Sequence, residues 1–132
     1  MIADKRTRII AGGVVAVLLF DLIASVASRE LGFSYTRASV GSYFIYLITG
    51  AVAARAASKA RARQGAIAAA IVGFADVTAG WAISWVVGPG KVTNETLTPL
   101  MWLTTMIVVV LFAGAVGFLG GAVGARSKLN AP

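Results

Sequence analysis

Four long apolar runs occupy most of this 132-residue chain, at residues 9–28, 39–57, 65–87 and 100–125. A membrane-spanning α-helix needs about 20 mostly apolar residues, and each run meets or nearly meets that length. Charged residues make up 13% of the chain, whereas a typical soluble domain has about 25%. The pattern predicts an all-α integral membrane protein with four transmembrane helices, forming a single domain over residues 1–132.

Two aspartates, Asp21 and Asp76, lie inside the first and third apolar runs. A carboxylate at bilayer depth costs roughly 2.5–3.5 kcal/mol, so an acid in such a run indicates a functional site. Asp21 follows Arg8 by thirteen positions, and Asp76 follows Arg63 by the same number. At about 1.5 Å per helical residue, both acids reach about 20 Å from these arginines. The matched depth predicts one polar site shared by two helices.

Each aspartate shares a helical face with small or polar residues. In the first run this face contains Asp21, Ser25 and Ser28, and Ser25 is placed to bond either the acid or its own helix backbone. In the third run the corresponding set is Ala69, Gly73, Asp76, Gly80 and Ser84. Small residues let a second backbone approach, so both faces should point inward. The alternative is that these faces are ordinary helix contacts with no further role.

The fourth run is rich in glycine, at positions Gly114, Gly117, Gly120, Gly121 and Gly124. Two pairs, Gly117 with Gly121 and Gly120 with Gly124, have the four-residue spacing that permits close helix crossings. We expect these glycines to pack against another helix, either within the chain or in a second subunit.

A short sequence repeat indicates that the chain contains two related helical hairpins. Residues 48–55 read ITGAVAAR and residues 119–126 read LGGAVGAR, with identical residues at five of eight positions. If the repeat is real, the hairpins are parallel repeats, and the first and third helices run in the same direction. The alternative is a coincidence of composition.

The distribution of basic residues predicts the orientation. With four crossings, nine of the 12 lysines and arginines fall on one side: Lys5, Arg6, Arg8, Arg55, Lys59, Arg61, Arg63, Arg126 and Lys128. The other three are Arg29, Arg37 and Lys91. By the positive-inside rule, both termini are cytoplasmic. We expect a multi-pass protein of a bacterial plasma (inner) membrane, with a cleaved signal peptide as the alternative reading of the first run.

Several function classes are disfavoured by composition. Cysteine and histidine are absent, which excludes disulfides and the usual zinc sites. We expect no cofactor or metal, and no enzyme, because no nucleophile–base pair or phosphate-binding loop is visible. The net charge of +7 lies at helix ends without an aromatic-interleaved basic patch, so we expect no nucleic-acid partner.

The two acids define the functional prediction. Without a basic residue at their depth, they are either protonated, share one proton, or surround a bound cation. The last two states predict a proton- or cation-coupled transporter or channel subunit, acting in the lipid bilayer as a homo-oligomer or with a larger membrane partner. In the first state, the chain is a structural or accessory membrane subunit whose protonated aspartates serve packing.

Overall fold

The computed structural model describes residues 2–32, 40–59, 61–87 and 98–132, and within these ranges the regular structure is entirely helical. The four helices are α1 (Ile2–Leu31), α2 (Val40–Ala56), α3 (Ala62–Val87) and α4 (Pro99–Leu129). The predicted all-helical class and helix number are thereby confirmed. By length and composition, α1, α3 and α4 are long and apolar enough to cross a membrane, whereas α2 is a shorter apolar helix of 17 residues.

The helices extend beyond the apolar runs where the flanking residues favour helix. α1 begins at Ile2 rather than near residue 9, and α4 continues to Leu129 rather than ending near 125. Lysine and arginine are good helix formers, so the basic ends remain helical outside the apolar segment. At its start, α4 is capped by Thr98, whose side chain accepts a hydrogen bond from the Met101 amide at 3.3 Å, and Pro99 occupies its first turn.

Neighbouring helices in the chain are antiparallel. Gly13 of α1 lies against Thr49 of α2, and Gly41 lies against Phe20. Along α3 and α4, Ala62 faces Gly121, and Gly73 faces Ala113. α2 and α3 together separate α1 from α4, which do not contact each other within the described residues.

Small residues bring α2, α3 and α4 into backbone contact. A β-carbon on Gly65 would lie 2.5 Å from the Gly117 carbonyl oxygen and 2.6 Å from the Gly50 carbonyl oxygen. One on Gly121 would lie 2.6 Å from the Ala62 carbonyl oxygen. On the side that faces α2, a β-carbon on Gly120 would overlap the Leu47 carbonyl group, and one on Gly124 would overlap the Ala51 carbonyl group. The glycines of α4 therefore pack within the chain.

The interior is built from small side chains and a few larger ones. Its central cluster consists of Val17, Tyr46, Ala69, Val72 and Ala113. Many large apolar side chains instead point outward, for example Leu111, Leu119 and Val123 of α4. Small residues inside and large apolar residues outside are typical of helices that pack in lipid.

Three tryptophans meet at the end of the bundle where α3 ends and α4 begins. The rings of Trp85 and Trp102 stack with centroids 5.1 Å apart, and Trp81 lies 6.1 Å from Trp102. Tryptophan favours the membrane–water boundary, so this cluster marks one edge of the apolar layer.

Candidate functional site: a buried aspartate pair

Asp21 and Asp76 are both buried, with 2% and 6% of their surface exposed. This confirms the prediction that both acids face the interior. Their level in the bundle follows from contacts between α1 and α3: Gly13 lies beside Val72, and Asp21 lies beside Gly80. Near the far end of both helices, the Arg29 guanidinium donates to the Val87 carbonyl oxygen at 3.3 Å. The two helices therefore run in the same direction. Asp21 lies level with Gly80, about one turn beyond Asp76, so the acids meet diagonally rather than at the single depth expected from their equal spacing to Arg8 and Arg63.

Asp76 is the centre of a polar cluster drawn from three helices. Its Oδ2 accepts a hydrogen bond from the Tyr46 hydroxyl of α2. Asp21 of α1 and Ser42 of α2 lie close enough to its carboxyl group to interact with it. Since Ser42 and Tyr46 are four residues apart, they present both hydroxyls from one face of α2.

The backbone of α3 changes from α- to π-helical geometry at Asp76 itself. The π segment covers Asp76–Gly80, and the Trp81 amide donates to the Asp76 carbonyl oxygen five residues earlier. Asp76, Val77 and Gly80 of this segment are buried. Single π turns of this kind are often found at functional sites.

Thr78 supports this change in the backbone ladder. Its hydroxyl donates to the Phe74 carbonyl oxygen at 2.7 Å and lies 3.3 Å from that of Ala75. Such bonds let a hydroxyl side chain serve carbonyls where the helical ladder is disturbed. The π turn is thus supported by a side chain that points away from the aspartate pair.

Gly80 makes room for Asp21. A β-carbon at Gly80 would overlap Asp21 Oδ2 and would lie 3.1 Å from Asp76 Oδ1. The absence of a side chain here is what allows the two carboxyl groups to approach across the α1–α3 contact.

The basic side chains of the described residues lie outside the bundle interior. None of the lysines and arginines in the described ranges is buried. Within the same ranges, no group of three or more His, Cys, Asp or Glu residues exists that would hold a metal ion. The site therefore consists of two carboxyl groups with hydroxyl neighbours and no fixed positive charge.

Ser25 lies one helical turn from Asp21 and is completely buried. Its hydroxyl has no hydrogen-bond partner, so it forms neither of the two bonds expected from the sequence. Ser84 of α3 is in the same state. The other predicted contact residue of this region, Gly73, lies against Ala113 of α4 rather than at the acids.

The sequence prediction missed Tyr46 and Ser42. A signal for them exists, because Ser42, Tyr46 and Thr49 follow helical spacing on α2 and all three are buried. A polar stripe on an otherwise apolar helix marks the face that packs against other protein.

Comparison with known proteins finds no relative: no family model matches the chain, and no similar chain was found among curated proteins or solved structures. The fold and the site together define a small multi-span helical membrane protein with a buried aspartate pair.

Proposed function

We propose that this protein is a proton- or cation-coupled transporter or channel subunit, with the Asp21–Asp76 pair as its coupling site. The observation that carries the proposal is the close approach of these two carboxyl groups in the bundle interior, where a single β-carbon at Gly80 would lie within 3.1 Å of both. No buried basic residue of the described chain neutralises them. In this proposal all four helices cross a bacterial inner membrane, with both termini in the cytoplasm.

A shared proton accounts for the contact between the acids. Two ionised carboxylates that lie side by side repel each other, whereas one proton shared between them supplies a hydrogen-bond donor and removes one negative charge. The Tyr46 hydroxyl, as a donor, supports the remaining negative charge on Asp76. The pair is thus a group that gains or loses one proton at low structural cost, which a coupling site requires.

A proton suits the described ligands better than a metal cation. An alkaline-earth cation such as Ca²⁺ binds about six to eight oxygen ligands. Here one oxygen of Asp76 already accepts from Tyr46, and the other buried oxygens nearby are the serine hydroxyls of Ser25, Ser42 and Ser84. A cation would need further oxygens from water or from another subunit.

An oligomer is part of the proposal because four helices enclose little space. Glycine contacts bring α2, α3 and α4 to backbone distance, which leaves no wide passage among them. A substrate larger than a proton would therefore pass along an interface with a second copy or with a larger membrane partner.

The two-hairpin repeat is part of the proposal through its sequence match, in which Gly50 and Gly121 occupy the same position. The parallel course of α1 and α3 is what repeats related by an axis along the membrane normal require. Such an axis would also pair the α2–α3 contact with an α4–α1 contact, and within the described residues α4 packs against α2 and α3 but not against α1, so the packing departs from this symmetry.

The second candidate function is a structural or accessory subunit. It is favoured by the hydrogen bond that Asp76 accepts from Tyr46 and by the nearby Ser42 and Asp21, which are polar neighbours suited to a protonated carboxyl group without any ion. In that case the acids hold three helices in register and carry no flux.

Reconstitution in liposomes separates the two candidates. The purified protein is placed in vesicles containing a pH-sensitive dye, and proton or cation gradients are imposed. We expect flux from the wild-type chain and its loss in Asp21→Asn and Asp76→Asn, because an amide keeps the shape but cannot exchange a proton. Glu30→Gln is the matched control, since its carboxylate is exposed. If the wild type carries no flux under any gradient while all variants fold, the accessory function is correct.

A further inference from the structure

The surroundings of the aspartate pair differ on its two sides along the bundle axis. Toward the Arg29 end, the buried side chains beyond the pair are Ser25 and Ser28 of α1 and Ser84 of α3, together with Ala24. Toward the opposite end, the side chains one turn before the two acids are Val17 and Val72, which are fully buried, and the next buried hydroxyl is that of Thr49, beside Val72 and Gly13. Serine hydroxyls follow the pair on one side, whereas valine side chains separate it from the next hydroxyl on the other.

Ser25 and Ser84 lie at the same level. The Asp21–Gly80 and Arg29–Val87 contacts join α1 and α3 below and above them. Ser25 is four residues beyond Asp21, and Ser84 is four residues beyond Gly80. Two serines from neighbouring parallel helices therefore flank the same short stretch of the interior.

The hydroxyls of these two serines have no protein partner although both residues are buried. A hydroxyl in a helix commonly bonds a carbonyl one turn earlier, and Thr78, Thr104 and Thr105 do so. Leaving a buried hydroxyl without a partner is unfavourable, so such groups are normally hydrogen-bonded to protein or to water. The two serine hydroxyls can thus donate hydrogen bonds to, and accept them from, a small polar molecule such as water.

We propose that Ser25, Ser28 and Ser84 form a water-occupied access path that connects the Asp21–Asp76 pair with the Arg29 end of the bundle only. The role of this path as a proton route rests on the function proposed above. A serine hydroxyl accepts one proton from a hydronium ion, which becomes water, and passes its own proton onward, so the net step moves one proton from the aqueous phase to a carboxylate oxygen of the pair. The proton leaves by the reverse step or through the opposite side after a change of conformation.

The valine layer makes the path one-sided. Val17 and Val72 pack with Ala69, Ala113 and Tyr46 in the central cluster. The hydroxyl of Tyr46 is the hydrogen-bonding side-chain group of this cluster, and it is donated to Asp76. Beyond this cluster, at the other end of α1, a cavity of about 120 Å³ is lined by Arg6, Ala53, Ala56, Ala57, Ser58 and Gln64. The central cluster lies between that cavity and the acids.

Cysteine accessibility to silver ions tests the path, and the natural chain contains no cysteine. Single variants Ser25→Cys and Ser84→Cys are compared with Val17→Cys and Val72→Cys in sealed vesicles. Silver ion is added from one side at a time, and the unreacted thiol is measured with a fluorescent maleimide after denaturation. Glu30→Cys and Lys59→Cys, both at exposed positions, report which side the silver reaches.

We expect the two serine positions to react from the Arg29 side at least about tenfold faster than the two valine positions, because thiolate formation needs water. Ser28→Cys repeats the measurement one turn closer to the mouth if either serine variant fails to fold. Equal rates at serine and valine positions in folded variants would overturn the path, as would reaction of the serine positions from the Lys59 side. If the cysteines at the serine positions react but the wild-type protein carries no flux in liposomes, the path is supported and only the proposed transport function is refuted.

Discussion

Gly80 of α3 lies directly against the carboxyl group of Asp21 on α1, and a β-carbon at Gly80 would overlap that carboxyl oxygen. The same β-carbon would come within 3.1 Å of Asp76. Both acids are therefore positioned around one glycine. The spacing between α1 and α3 and the approach of the two carboxyl groups both depend on the absence of a β-carbon at Gly80.

Gly80→Ala should disrupt the aspartate pair. Since the displaced neighbour is a buried carboxyl group, we expect a loss of about 1–3 kcal/mol in the free energy of unfolding, measured by thermal or denaturant unfolding in detergent micelles. Gly12→Ala is the control, because its β-carbon would have no atom within 4 Å. Equal stability of the two variants would contradict the contact.

Gly117→Ala should loosen the packing of α4. A β-carbon there would overlap the Ala69 side chain and lie 2.7 Å from the Gly65 carbonyl oxygen. We expect destabilisation of about 1–3 kcal/mol by the same unfolding measurement. Gly114→Ala, one turn away, would make only ordinary contacts at 3.7 and 3.8 Å, so it should change stability by less than about 0.5 kcal/mol. If Gly114→Ala destabilised the protein more than Gly117→Ala, Gly114 rather than Gly117 would be the close-packed glycine of α4.

Tyr46→Phe should remove the donor to Asp76 and keep the ring. Loss of one partner of a buried hydrogen bond costs about 1–3 kcal/mol, so the melting temperature should fall. Tyr43→Phe is the matched control, since Tyr43 is partly exposed and its ring packs on Phe112. In the liposome assay, Tyr46→Phe should also change the flux, whereas Tyr43→Phe should not. Identical behaviour of the two phenylalanine variants would show that the Tyr46 hydroxyl has no role at the pair.

The parts of the structure that could be predicted from the sequence are those that depend on local patterns. Apolar runs define where helices form, and helical spacing defines which side Asp21 and Asp76 face. The runs underestimate helix length, because the basic residues at the ends are themselves compatible with helix. The inward orientation of both acids could therefore be predicted from the residues of their own helices alone.

The contacts of the acids depend on long-range packing and could not be predicted in the same way. Tyr46 reaches Asp76 only because α2 is held against α3 through Gly50 and Gly65. The π turn at Asp76 is also invisible locally, since no residue in the segment 76–80 requires it. Its position is explained by the fit of Gly80 against Asp21, which is a property of two helices together.

Cysteine crosslinking should establish the register of α1 and α3 independently of flux. Ser25 and Ser84 lie at one level between the Asp21–Gly80 and Arg29–Val87 contacts. The double variant Ser25→Cys/Ser84→Cys should therefore form an intramolecular disulfide under mild oxidation, because a disulfide needs Cα atoms within about 7 Å. Ser25→Cys with Ala68→Cys is the control, since Ala68 is buried on α3 but lies below the Gly13–Val72 contact. The products are separated by gel mobility after cleavage of the chain in the segment between α2 and α3. A disulfide in the control pair, or none in the test pair of a folded variant, would mean that the two helices are not aligned in this register.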